Sequence, residues 1–231
     1  MQKNIFNYKS IFVVCSAALL FSCAPSRLVK PLEKGEQQLN ASFGGPLINF
    51  AGTTIPIPFT TITYANGVKD KTTAFASLHT TSLMFGVLQT DIGVVRELYT
   101  PDSISRITPG ISIAPAANIA FDIWENNFRL WPQIDLNAYW ILGKQRQHYC
   151  YLGLSNWLEF NQRKAHGEIQ RNQWIFNPQI GIVLSKTKWN HQIEMKYLAP
   201  EIRNDNVVVD YAKPFGNKGA MGIYYSVSRK F

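Results

Sequence analysis

Little in this chain announces catalysis, metal binding or nucleotide handling. Only three of its 231 residues are cysteines, namely Cys15, Cys23 and Cys150. The histidines His79, His148, His166 and His191 each stand without a second ligand at metal spacing. Gly-rich phosphate loops and dinucleotide fingerprints are missing, so no cofactor is expected. Charged residues make up 16% of the chain, and the net charge of +8 is spread along it rather than gathered in a block. That distribution argues against a nucleic-acid-binding surface. Beyond Glu36 no segment shows a helical period of apolar residues. What is present is alternation of apolar and polar side chains, repeated to the last residue, and alternation means strands.

The N-terminus reads as an export signal. Lys3 and Lys9 precede the apolar stretch Ile11–Phe21, which is too short to anchor across a bilayer. Leu20-Phe21-Ser22-Cys23 resembles a bacterial lipobox, which implies a diacylglycerol on the sulfur of Cys23. Ordinary cleavage at Ser22-Cys23-Ala24 would leave Pro25 first, a poor product. No acidic run follows Cys23, so the lipid is expected to stay on the periplasmic side. Removing residues 1–22 takes away two lysines and lowers the formal charge to +6. It leaves Cys150 as the one cysteine without a lipid, so an intramolecular disulfide or a cysteine-rich metal site is excluded. Residues 23–35, with Pro25 and Pro31, read as the lipidated cysteine and a periplasmic tether. Residues 36–231 read as one all-β domain.

Within that domain the two faces separate by parity. Leu130, Ile134, Leu136, Ala138 and Trp140 oppose Gln133, Asp135, Asn137 and Tyr139. Cys150, Leu152, Leu154 and Leu158 oppose Tyr151, Gly153, Ser155 and Glu159. Phe176, Ile180, Ile182 and Leu184 oppose Asn177, Gln179 and Gly181, and Ile193, Met195 and Tyr197 oppose Gln192, Glu194 and Lys196. A soluble barrel would show the same period with its apolar face inward. Three features favour a membrane barrel instead. Several segments exceed the ~9–11 residues of a tilted transmembrane strand. Trp140, Trp174, Trp189 and Tyr197 sit near strand ends on the apolar face, as in an interfacial girdle. The polar face carries small and hydrogen-bonding groups suited to a narrow lumen.

The expected fold is a single antiparallel up-and-down transmembrane β-barrel of about ten strands. The strands are placed near 36–44, 56–66, 72–80, 83–96, 107–122, 128–142, 147–161, 172–185, 188–199 and 218–231. Mostly short connections at one end alternate with mostly longer ones at the other, which puts both termini on the periplasmic side of an outer membrane. The weak points are the long 97–106 turn, the short 81–82 connection and the second strand. Pro132-Gln133-Ile134 and Pro178-Gln179-Ile180 recur on strands of the same direction. Proline lacks the N–H of a ladder, so each marks either a bulge or kink near the rim or a chance repeat.

The end of the chain is the most specific signal. Met221, Ile223, Tyr225, Val227, Arg229 and Phe231 alternate and stop on an aromatic. This resembles the terminal strand that outer-membrane assembly machinery recognises, carried by Tyr225 and Phe231, with Arg229 as a departure. Pro31–Glu36, Ala41–Leu47, Trp131–Asn137, Tyr151–Trp157 and Lys196–Pro200 together resemble an uncharacterised family of outer-membrane β-barrel proteins of Bacteroidota-type bacteria. The resemblance implies a fold and a place in the outer membrane of a Gram-negative cell, and no activity.

Candidate chemistry is confined to the lumen. Asp91, Asp135, Glu159, Glu194 and Lys196 fall on the polar face and are expected to pair inside, since isolated buried charges are costly. Ten strands give an interior close to the size that side chains fill, so a general pore is not expected. The reading is a structural or surface-binding outer-membrane lipoprotein, not an enzyme, with outer-membrane lipid and the barrel assembly machinery as partners. One alternative is an enzyme acting on outer-membrane lipid through His79 and Ser82, although His79-Thr80-Thr81-Ser82 lacks the His-x-Ser spacing of known barrel hydrolases. The other is a lipid-anchored soluble periplasmic barrel holding an apolar ligand, which would put Gln179 and Glu194 outside.

Overall fold

The computed structural model describes residues 27–101, 107–143, 147–160, 169, 171–204 and 209–231. The signal peptide over 1–22 and the lipidation candidate Cys23 lie outside the described residues. The strands are β1 (Gln37–Phe50), β2 (Thr53–Pro56), β3 (Phe59–Lys69), β4 (Thr72–His79), β5 (Val87–Tyr99), β6 (Gly110–Asp122), β7 (Asn127–Leu142), β8 (His148–Leu158), β9 (Trp174–Ser185), β10 (Trp189–Arg203) and β11 (Lys218–Lys230), with a single helical turn, α1 (Thr80–Met84), between β4 and β5. All but β2 build the wall, each pairing antiparallel with the next wall strand. β11 returns to β1 along the register Gln38↔Lys230 to Pro46↔Gly222. The result is a closed ten-stranded antiparallel barrel, as the alternation predicts.

Two elements differ from the sequence expectation. The first strand runs on to Phe50 instead of ending near 44, and Thr53–Pro56 folds back on it (Leu47↔Pro56 to Phe50↔Thr53). Ala51 and Gly52, both at positive φ, make the two-residue turn that suits a tight hairpin. The stretch 83–86, expected as the start of a strand, instead completes and follows α1. Gly86 adopts φ +79° and its carbonyl accepts from Ile123 N–H, so β5 begins at Val87.

Polarity runs in opposite senses on the two faces of the wall. Ile180 and Leu152 are 54% and 51% exposed on the outside, whereas Gln179 and Glu194 are 6% and 1% exposed within. Ile134, Leu136, Leu184, Ile193 and Met195 also point outward; Gln133, Asp135, Asn137 and Asn177 are buried. The soluble ligand-binding barrel required the reverse assignment of Gln179 and Glu194, and the facing of these residues overturns it. Among the described residues no helix is long and apolar enough to cross a membrane, a fact that does not bear on strands.

The repeated prolines mark ladder ends rather than bulges. Pro132 pairs with Ala117 on β6, but the β7–β8 ladder starts one residue later, at Gln133↔Trp157. Pro178 pairs with Leu154 on β8, and the β9–β10 ladder starts at Gln179↔Lys196. In each case the missing N–H falls where one neighbouring ladder has stopped.

Candidate functional site in the lumen

The lumen is filled in three layers, and the first comes from a segment ahead of the wall. Arg27, Leu28, Val29 and Leu32 are all buried. Residues 27–35, expected as a tether, are folded against the inner wall. Gly35 N–H donates to Gly67 O (2.7 Å) and Gly67 N–H to Glu36 O (2.9 Å), fixing the segment where it enters at the short-turn end. A side chain at Gly67 would strike the Glu33 carbonyl, so glycine there permits the close crossing. Deeper in, Leu32 N–H donates to Thr73 Oγ1 (2.7 Å) and Ser112 Oγ donates to Val29 O (2.6 Å). Leu28 and Leu32 pack with Ala65, Phe75, Val95 and Ala114. Val29 packs with Tyr139, Tyr151 and Val183.

The middle layer is polar, and Asp91 is its hub. Arg27 Nη2 lies 2.9 Å from Asp91 Oδ2, and His79 Nε2 approaches the same oxygen at 2.9 Å. Arg27 also donates to Asn118 Oδ1 (2.8 Å) and lies over the Phe75 ring. Asn118 Nδ2 donates to Gln133 Oε1 (3.2 Å), whose own amide donates to Asp135 Oδ1 (2.7 Å) and Ser155 Oγ (2.9 Å). Across the lumen Lys196 Nζ is 3.1 Å from Glu194 Oε1. Tyr151 donates to Glu194 Oε2 (2.5 Å) and accepts from Gln192 Nε2 (2.7 Å), and Gln192 reaches back to the Arg27 carbonyl (3.4 Å).

The third layer, at the long-connection end, is apolar again. Leu198, Tyr211, Ala220 and Tyr224 cluster with Ile48, Ile57, Trp157 and Val209. Tyr211 is held there by its bridge to Ile48 and by the neighbouring Ala212 N–H bond to Leu47 O (2.8 Å).

Of the residues predicted for the lumen network, Asp91, Asp135, Glu194 and Lys196 are buried inside. Glu159 lies just beyond β8, half-buried, and its N–H bonds Gln173 O (2.7 Å). Its position past the strand end puts it at the rim instead of in the deep network. His79 and Ser82 serve different partners, the latter donating to Gln89 Oε1 (2.8 Å). Parity did not find Arg27, which precedes the strands, nor the role of Tyr151, whose hydroxyl joins two polar side chains. At the closing strand Tyr225 points outward and bonds His191 Nδ1 (2.7 Å), while Phe231 N–H bonds Gln37 O (2.9 Å). Among the described residues no three His, Cys, Asp or Glu side chains converge as a metal ion would need.

No protein-family model matches the chain, and no curated protein matches it. Among solved structures it is similar to the NanC porin, at 7% identity over 84% of this chain and 100% of that one, with a TM-score of 0.43. It is also similar to the translocator domain of the autotransporter NalP from Neisseria meningitidis (10% identity, 97% and 95% covered, TM-score 0.43). A third similar structure is an outer-membrane channel from Pseudomonas putida F1 (9% identity, 90% and 100% covered, TM-score 0.41). Likeness this distant carries neither an activity nor residue roles to this chain.

Proposed function

We propose that this chain is a small outer-membrane β-barrel lipoprotein with a filled lumen, acting as a membrane scaffold or surface-binding protein rather than as a diffusion pore. The observation that supports it is the inverted polarity of the wall. An exposed belt of Leu, Ile, Phe and Trp around a closed barrel suits lipid, where every backbone group must be paired within the protein. In water the same belt would be an apolar patch far larger than soluble monomers carry. The lumen network and the segment 27–35 supply the filling, and acylation of Cys23 is part of the proposal as an auxiliary anchor.

The experiment replaces residues 1–23 with a non-lipoprotein signal peptide. The exported chain is expected to remain in the outer membrane, resist alkaline extraction and migrate heat-modifiably on a gel. Recovery as a folded, soluble periplasmic protein would overturn the reading. Intact mass of the native chain tests the acyl group separately: a mature N-terminus without lipid removes Cys23 from the proposal and leaves the barrel in place. Hydrolysis of outer-membrane lipid lost on changing His79 or Ser82 would favour the enzyme instead.

A further inference from the structure

Arg229 is the exception on an otherwise apolar outer strip. It is exposed on β11, where the outward neighbours along the strand are Ile223, Tyr225, Val227 and the following Phe231. It pairs in register with Trp189 on β10 and with Leu39 on β1, both exposed. Its guanidinium carbon lies 5.7 Å from the Trp189 ring and 5.2 Å from the Phe231 ring. The adjacent cation Lys230 is neutralised by Glu36 at 2.9 Å. Arg229 has no such carboxylate among the described residues, and Lys186 and Lys188 are exposed in the turn beside it.

A cation at this place requires an explanation. Facing lipid near the bilayer midplane an arginine costs about 2–4 kcal/mol, and near the interface roughly 0–1. Arg229 stands in the last register pairs of β10–β11, at the rim, where lipid headgroups lie. Both rings lie within cation–π reach of the guanidinium, whose fork of N–H donors suits a planar or tetrahedral oxyanion that takes two parallel bonds. We propose that Arg229, between Trp189 and Phe231, is a binding site for the phosphate of an anionic glycerophospholipid. The site rests on the membrane reading above. Lys186 and Lys188 add the positive field that favours a lipid with net charge over a zwitterionic one.

The test uses the folded mature chain in detergent, native mass spectrometry, and two probes, phosphatidylglycerol and phosphatidylcholine. The parent protein is expected to retain one phosphatidylglycerol in preference to phosphatidylcholine. Arg229→Gln should weaken that retention about tenfold, the loss of a charge-assisted bond, with heat-modifiable migration unchanged. Arg229→Lys should fall between, since it keeps the charge and loses the fork. Equal retention by a folded Arg229→Gln variant would overturn the site. Should that variant fail to fold, the parent alone decides: absence of preference between the two lipids overturns the site equally. A barrel that inserts in vesicles without that preference refutes the site alone, whereas a chain that stays soluble refutes the membrane reading.

Discussion

Arg27 Nη2 lies 2.9 Å from Asp91 Oδ2, joining a residue that precedes the first strand to the middle of β5. Both side chains are almost wholly removed from solvent. A buried pair gains little over an apolar pair, yet breaking one partner leaves an uncompensated charge. The pair therefore makes the position of segment 27–35 a condition of a stable lumen.

Asp91→Ala is expected to destabilise the barrel by about 3–5 kcal/mol, the usual cost of orphaning a buried charge. Arg27→Met combined with Asp91→Asn removes both charges and keeps an acceptor for His79, so it should recover most of that loss. Urea unfolding in lipid vesicles, followed by tryptophan fluorescence, measures both. An Asp91→Ala barrel as stable as the parent would show that the ion pair does not hold the segment.

Two lumen tyrosines lie across glycines on the neighbouring strand. Tyr139 is paired with Gly110 and Tyr151 with Gly181, and in each case a methyl group on the glycine would overlap the ring. The glycines thus act as seats that let large rings lie flat along the inner wall. Gly181→Ala should displace Tyr151 from Glu194 and Gln192 and cost about 1–3 kcal/mol by overpacking. In a Tyr151→Leu background the same change should cost little. The coupling is read from the double-mutant cycle; additive effects would mean that ring and glycine are independent.

Parity alone made the wall legible, because a strand has a strict period of two and one face had to be polar. Alternation by itself puts Asp135, Glu194 and Gln179 inside and Ile180 and Leu152 outside, where the barrel has them. Glu159 shows where the rule stops: it continues the alternation of β8 but sits one residue beyond its end, half-buried at the rim, with its N–H bonded to Gln173 O. Arg27 was illegible for a different reason. It lies in a stretch with no period, and its partner Asp91 is distant in sequence, so nothing local distinguishes a plug from a tether. The helical turn α1 was hidden likewise, since Thr80–Met84 suits a strand by composition and is bent by Ser82 bonding Gln89 and by Gly86. Arg229, a departure from the apolar stripe in the sequence, is accounted for by the two rings that flank it.

Conduction depends on how the lumen is filled. Apolar packing caps the polar layer of the lumen at both ends, at one by Leu28, Val29 and Leu32 against Ala65, Phe75 and Tyr139, and at the other by Tyr211 and Val209 against Leu198 and Trp157. A cavity of about 270 Å³ lies at the short-turn end beside Gln38, Asn190 and Gln192. Closures in series mean that the tighter one sets the current, so opening one leaves the other in control. In planar bilayers the parent chain is expected to give no steady conductance. Replacing residues 28–34 with Gly and Ser at constant length, with Arg27 kept as the partner of Asp91, should leave current near the parent level, and so should Val209→Gly with Tyr211→Gly. The two sets combined should give stepwise ohmic openings, because ten strands enclose more space than the remaining side chains fill. Asp91, Glu194 and Lys196 would then line the path, and conductance should respond to Asp91→Asn in that background. Steady openings by the parent chain would instead make the barrel a channel and remove the filled lumen from the functional proposal.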